Sequence, residues 1–222
     1  IDVVLEDESL ELEDEVDLVF NVIHGTFGED GSIQKILNER RIPYTGAGAS
    51  SSELAFDKLL SKKSFVEHGV NTPLFDFIST SGESQTSIKE PYVIKPPKEG
   101  SSVGVHIIRD ASEFDEAIKD VAKYDEIALV EEFISGKELT VGILSNKSLP
   151  IIEIFPSHDL YDYECKYTEG ASKYIVPAEL SDSLVRKLSE DALKIYNTIG
   201  CRHYARADFR LNDKDEYYFL EI

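Results

Sequence analysis

Apolar residues along this chain recur in two rhythms. Residues 16–23 (VDLVFNVI) form an apolar run, which predicts a strand buried in a parallel sheet. Ile33, Ile36 and Leu37 then fall at helical spacing and predict a helix over 30–40. PYTGAG (43–48) marks a turn, and 51–68 reads as a second helix closed by Gly69. Beyond it the pattern changes to short runs, with strands predicted at 74–78, 91–95 and 105–109. Ser112 is positioned to cap a helix whose Phe114, Ala117, Ile118, Val121 and Ala122 share one face. A strand at 127–134 follows, then a hairpin of 138–144 with 150–155 across Ser145-Asn146-Lys147. Residues 156–177 carry no regular pattern. A long helix at 181–199 turns Leu184, Leu188, Ala192, Ile195, Tyr196 and Ile199 inward and ends at Gly200. Strands at 203–211 and 216–222 complete the reading, and no internal repeat is present.

At 222 residues and 41% apolar content there is material for one large core or two modest ones. A net charge of −20 argues against nucleic acid, because a phosphate backbone calls for a basic stripe. A small anionic ligand remains compatible, provided its pocket carries cations of its own against the global field. No run approaches the length of a membrane span, and the acidic opening residues are no signal peptide. Two cysteines, Cys165 and Cys201, make no disulfide framework, so a reducing cytoplasmic setting is expected.

The candidate chemistry begins at 91–104, PYVIKPPKEGSSVG. A strand ends in Lys95 and enters a glycine- and serine-rich loop, whose exposed N–H groups and hydroxyls can wrap phosphates. It is not a P-loop, since no Gly-Lys-Ser/Thr follows and the loop leads into another strand. A flexible hairpin loop is the plain alternative. In the final two strands, a two-residue turn at Lys214-Asp215 sets Asp208 directly opposite Glu221, with 206 and 208 on one face and 219 and 221 likewise paired. Facing carboxylates repel, so either a divalent cation lies between them or the register slips and one acid meets solvent. Arg206, on the Asp208 face, can grip a phosphate or carboxylate bidentately or form a surface ion pair.

Glu131 and Glu138 flank a Ser-Gly turn at the junction of two lobes, where a carboxylate can accept from ribose hydroxyls or stand solvated. His24 ends the first apolar run, either at a ligand crevice or satisfying local backbone groups. Lys58 reads alone as a surface lysine, and Lys166-Tyr167 lie where a mobile lid is expected. Cys165 has no histidine at a telling spacing, and no Gly-x-Ser-x-Gly elbow supports a serine hydrolase.

VFNVIHGTFGEDGSIQ (19–34), PYTGAGASSSELAFDK (43–58), VIKPPKEGSSVG (93–104), LVEEFISGKELTV (129–141), YDYECKYTEG (161–170) and CRHYARADFRL (201–211) together resemble the D-alanine–D-alanine ligases of the ATP-grasp superfamily. The resemblance runs in family order over nearly the whole chain; HGTFGEDG and YDYECKY are its most specific parts. It implies an α+β fold: two ATP-grasp lobes behind the remnant of an N-terminal open α/β domain. The expected boundaries are 1–53 for the remnant, 54–134 for the small lobe and 135–222 for the large one.

The implied reaction is ATP-dependent joining of two D-alanines through an acyl phosphate, for peptidoglycan precursors, with Mg²⁺ or Mn²⁺ as cofactor and a homodimer as the usual family state. Alternatives are a sister ligase taking D-lactate or D-serine, or a non-catalytic nucleotide-binding module. By position, Lys58 and Lys95 match lysines on the ATP phosphates, and Ser101 and Ser102 match the serines of the closing loop. Glu131 matches the acid near adenine, the backbone of Glu132, Phe133 and Ile134 the base edge, and Glu138 the ribose ligand. Lys166 and Tyr167 match the omega-loop pair, Arg206 the arginine that steadies the intermediate, Asp208 and Glu221 the metal ligands, and His24 with Glu29 the segment beside the first D-alanine.

The chain departs from the family pattern in three ways. The family's opening glycine-rich turn, with its ammonium-binding glutamate, has no counterpart, and the sequence stops at Ile222, one residue short of the motif's asparagine. Cys165 stands where the family has a small residue. The expectation is therefore a nucleotide-binding heart lacking both terminal segments.

Overall fold

Residues 16–82, 85–156 and 172–222, which this computed structural model describes, build two antiparallel sheets with a cleft between them. Ahead of the sheets, 16–23 runs extended but makes a single parallel bridge, Val19 with Tyr44, so the expected buried parallel strand is not formed. Val19 and Ile23 pack with Phe27, Ile33, Leu37 and Tyr44. Leu18, Phe20 and Val22, on the alternate side, are exposed. A parallel strand is buried on both faces only when layers cover both. Here α1 (Ser32–Glu39) covers one, and no described element covers the other.

The helix expected over 51–68 is two helices, α2 (Ala49–Phe56) and α3 (Lys58–Glu67). Asp57 breaks the run: its backbone is extended, and its carboxylate accepts from the N–H groups of Leu59 and Leu60 at 2.9 and 3.3 Å. That N-cap starts a new helix and places Lys58 at its first position.

The smaller sheet has the order β1–β4–β2–β3, from β1 (Phe75–Ser79), β2 (Tyr92–Lys95), β3 (His106–Ile108) and β4 (Ile127–Glu132). Its core is Ile78, Tyr92, Ile94, Ile108, Ala128 and Val130 against Ala117, Ile118 and Val121 of α4 (Phe114–Val121). The helix entry is capped by Asp110, not Ser112: Asp110 accepts from the Ser112 N–H at 2.9 Å, and Glu113 accepts from the Asp110 N–H at 3.2 Å. A 3₁₀ turn over Ala111–Glu113 precedes α4, which moves the cap back from the position that the apolar spacing suggests.

The larger sheet comprises β5 (Lys137–Leu144), β6 (Lys147–Ser148), β7 (Ile152–Pro156), β8 (Ser172–Ile175), β9 (Tyr204–Leu211) and β10 (Tyr217–Glu221). Its order is β10–β9–β5–β7–β8, with β6 beside β5. The tight turn at Ser145-Asn146, both with positive φ, returns the chain as β6, and β7 then pairs separately with the first half of β5. Helix α5 (Asp182–Ile199) is capped by Ser181 and ended by Gly200 at φ 78°. Leu184, Leu188, Ala192, Ile195 and Ile199 fill one core with Leu139, Val141, Ile143, Ala207 and Phe209. Phe65 of α3 joins it, its ring 4.6 Å from that of Phe219.

Candidate functional site: a cleft between two sheets

Strand β9 reads Ala205-Arg206-Ala207-Asp208-Phe209-Arg210-Leu211. Strand alternation sends Ala207, Phe209 and Leu211 into the core, and therefore Arg206, Asp208 and Arg210 to the opposite face. Cross-strand partners on β5 complete that face. Thr140 donates to Asp208 at 2.7 Å, and Arg210 donates to Glu138 at 3.1 Å. Arg206 forks onto both Asp208 oxygens at 3.0 and 2.8 Å.

Glu221 reaches this face through two departures from the expected pairing. The turn is a three-residue loop, 213–215, with Asp215 at φ 60°, so Tyr217 pairs with Leu211 and Phe219 with Phe209. That register would set Leu220 opposite Asp208 and turn Glu221 to the core side. A β-bulge after Phe219 adds one residue and restores the Glu221–Asp208 pair. The pairing of the two acids is as expected; the shared face of 219 and 221 is not, since Phe219 is core and Glu221 lines the cleft. Arg206 meets Asp208, and the Lys58 ammonium lies 3.4 Å from Glu221, so cations offset the repulsion between the two acids.

On the other side, β2 delivers Lys95 to the cleft and the chain enters its loop. Ser101, Ser102 and Gly104 have φ of 52°, 61° and 64°, a curled backbone of the kind that turns successive N–H groups toward one point. The Pro97 carbonyl accepts from the Lys58 N–H at 3.0 Å, and the Lys58 ammonium donates to the Glu99 carbonyl at 2.8 Å. The start of α3 therefore holds the loop. Gly100 lies against Gly25 and the Glu29 carboxylate, which brings the 24–31 segment to the loop's flank. Glu29 itself accepts from the Gly25 N–H at 2.7 Å.

Between the lobes the chain passes through Phe133 to Gly136. Arg210 donates to the Ile134 carbonyl at 3.0 Å and the Gly136 carbonyl at 3.2 Å, so one guanidinium sets both the connection and Glu138. Gly136 has φ 120°, and a Cβ there would collide with the Leu211 carbonyl.

Beneath Lys95 lies a buried charge cluster. The two Glu131 oxygens are divided between Lys62 and Lys95, and Glu131 and Lys62 are 2% and 0% exposed. Burial alone would raise the Glu131 carboxyl, but the two ammonium groups outweigh it and hold it at about 2. Lys62 moves the other way: complete enclosure pushes it down to about 8 despite Glu131, with Lys95 repelling it. Burial also works against the charge on Lys95, yet Glu131 and Glu221 together hold its pKa above the ordinary value.

One cleft thus collects Lys58, Lys95, Ser101, Ser102, Glu131, Glu132, Phe133, Ile134, Glu138, Asp208 and Glu221. Arg206 is outside its lining and reaches it through Asp208; the His24 side chain is 75% exposed, 3.9 Å from Glu29. Lys166 and Tyr167, with Cys165, lie outside the described residues. Sequence reasoning missed Arg210 and Lys62. Arg210 was findable, since it shares the face of Asp208 two residues on. Lys62, one helical turn after Lys58, carries no mark that separates a buried lysine from a surface one. Among the described residues no three acids, histidines or cysteines gather as a metal cluster. The Asp208–Glu221 pair offers hard carboxylate oxygens, which fit Mg²⁺ or Mn²⁺ sharing its shell with phosphates.

Comparison with known proteins gives one consistent result. Residues 74–222 match the family described as "D-ala D-ala ligase C-terminus" and residues 2–47 that described as "D-ala D-ala ligase N-terminus". The D-alanine–D-alanine ligase of Methylacidiphilum infernorum is 45% identical over 215 residues, 97% of this chain and 70% of that protein. The Aquifex aeolicus enzyme is 41% identical, over 95% of this chain and 72% of its own length. Among solved structures, the Bacillus anthracis D-alanine–D-alanine ligase complexed with ATP superposes with a TM-score of 0.80 at 28% identity, covering 93% of this chain and 67% of that one. The VanG D-Ala:D-Ser ligase of Enterococcus faecalis gives 0.81 at 31% identity, covering 94% and 63%.

Proposed function

The chain belongs to the D-alanine–D-alanine ligase family, with its ATP-grasp fold, and from that premise we propose how the cleft joins two D-alanines at the expense of ATP. The carboxylate of the first D-alanine attacks the γ-phosphate, giving an acyl phosphate and ADP. The amine of the second attacks the acyl carbon, and phosphate leaves. The product is the dipeptide of peptidoglycan precursors, and we place the reaction in the cytoplasm, where ATP is supplied.

What carries this reading is the convergence, on one cleft, of the Lys95 strand end, the curled serine loop, the Phe133–Ile134 connection and the Asp208–Glu221 pair. The backbone of Glu132, Phe133 and Ile134 takes the base edge, and Glu138, fixed by Arg210, accepts from the ribose. Lys58 and Lys95 neutralise phosphate oxygens, with Ser101 and Ser102 closing over them. Arg206 meets the charge that builds on the transferred phosphoryl group, and His24 with Glu29 borders the first D-alanine. Lys166 and Tyr167 complete the site by their match to the family motif. Asp208 and Glu221 would hold Mg²⁺ or Mn²⁺, which would neutralise phosphate charge during transfer. A cation fits there: the lining carries more carboxylates than cations, in a protein of net charge −20.

The test is phosphate release from ATP with Mg²⁺, with and without D-alanine, alongside mass spectrometry of the product. One phosphate per D-alanyl-D-alanine is expected. Nucleotide binding without D-alanine-dependent release would instead make this a nucleotide-binding module. The likeness to the D-Ala:D-Ser ligase supports a second reading, D-serine as acceptor. A mixture of both amino acids decides between them by the dipeptide formed.

A further inference from the structure

The fully enclosed Lys62 has no place in the chemistry above, since it does not line the cleft. A lysine loses hydration and side-chain freedom when enclosed, so its partners show what it does there. Its ammonium ion-pairs with one oxygen of Glu131 and donates to Thr72 Oγ1 at 2.6 Å. Thr72 is itself anchored, donating to the Phe219 carbonyl at 2.8 Å, and the ring of Phe75 lies 5.8 Å from the ammonium. The other oxygen of Glu131 holds Lys95, the lysine that faces the cleft. The cluster is a carboxylate between two ammonium groups, one walled in and one presented to ligand.

We propose that Lys62 is a positioning residue of the nucleotide site: it neutralises Glu131 from behind, so that the Lys95 charge stays available to polyphosphate while Glu131 still fixes its direction. The proposal rests on the reading that Lys95 meets the ATP phosphates. With all three groups ionised, the cluster keeps one net positive charge, and Lys95 is where it meets the cleft. Without Lys62, Glu131 and Lys95 form a neutral pair and the ligand loses its cation. Without both Lys62 and Glu131, Lys95 again carries a charge that Glu131 does not cancel. A merely structural lysine gives a different pattern, since a loosened lobe binds adenosine and Mg·ATP less well alike.

Four proteins are compared by calorimetric titration with Mg·ATP and by competition with adenosine, which has no phosphates: wild type, Lys62→Met, Lys62→Met/Glu131→Gln and Lys95→Ala. Lys62→Met should weaken Mg·ATP binding by roughly tenfold to a hundredfold, the span of a lost charge-assisted contact, and leave adenosine binding unchanged. The double variant should recover part of that loss, binding Mg·ATP about threefold or more tighter than Lys62→Met, because the cation is restored while the direction that Glu131 gives it is lost. A double variant that binds Mg·ATP as poorly as Lys62→Met, or worse, overturns the proposal. So does a Lys62→Met loss that is equal for adenosine. Should Lys62→Met fail to fold, the double variant decides alone, since it removes the enclosed Lys62–Glu131 pair and leaves only Lys95, at the cleft, without its partner. Mg·ATP affinity clearly above that of Lys95→Ala then supports the proposal, and affinity no better than Lys95→Ala with adenosine binding intact contradicts it. Lys95→Ala separates the two levels. If it leaves Mg·ATP binding unchanged, the reading of Lys95 fails. If it weakens binding while Lys62→Met does not, only the role of Lys62 fails.

Discussion

Glu131 is a carboxylate with almost no access to water, and it is ionised only because two lysines face it. Its native value of about 2 lies below the ordinary 4.5. A carboxyl depressed on folding contributes stability that is complete above the unfolded value and disappears as pH falls through the native one. The contribution of Glu131 is therefore full above about pH 4.5 and declines toward about 2. Urea unfolding of wild type and Glu131→Gln between pH 5 and 3 should show a shallower loss of stability in the variant. Equal slopes would mean that Glu131 carries no such linkage. At this scale, what the sequence revealed was set by locality. Lys95, Ser101 and Ser102 stand in one contiguous string whose chemistry is visible without the fold. Lys62 acquires meaning from Glu131 on a distant strand, and nothing in its neighbourhood announces that it is buried.

The elements show where local rules hold and where they meet competition. The alternation of β9 separated core from cleft correctly, because a period of two survives as long as the strand is regular. The β9–β10 register did not follow from the turn alone. A loop one residue longer than expected moved it, and a bulge moved it back for Glu221. The helix break at Asp57 was equally hidden in an apolar pattern that continues across it, although the capping chemistry of aspartate explains it afterwards. At 16–23 an apolar run indicated burial on both faces, whereas the described residues cover only one. Gly136 offers the sharpest test at this scale, because its left-handed backbone and the nearby Leu211 carbonyl leave no room for a Cβ. Gly136→Ala should lower unfolding free energy by at least about 1–3 kcal/mol. It should also weaken Mg·ATP binding, since the Gly136 carbonyl is one of the points by which Arg210 fixes the connection. Urea unfolding and nucleotide titration check the two effects, and unchanged values in both would refute this account of the connection.

In the whole molecule, two sheets with separate cores share one cleft, and α3 belongs to both sides of it. Phe65 packs into the core of the larger sheet, while Lys62 pairs with Glu131 of the smaller. The arrangement brings Lys58, Lys95 and Arg210, cations from both lobes, to one cleft within a strongly acidic protein. It also bears on the chemistry: an acyl phosphate survives only where water is kept from it while the second amine approaches. The central claim is that the first D-alanine's carboxylate oxygen attacks phosphorus and departs with it, and isotope transfer tests this directly. With D-alanine labelled by ¹⁸O in both carboxylate oxygens, ATP and Mg²⁺ in ordinary water, mass spectrometry of the released phosphate gives the answer. Each phosphate formed with dipeptide should carry one ¹⁸O from the carboxylate. Unlabelled phosphate accompanying dipeptide formation would contradict the acyl-phosphate route.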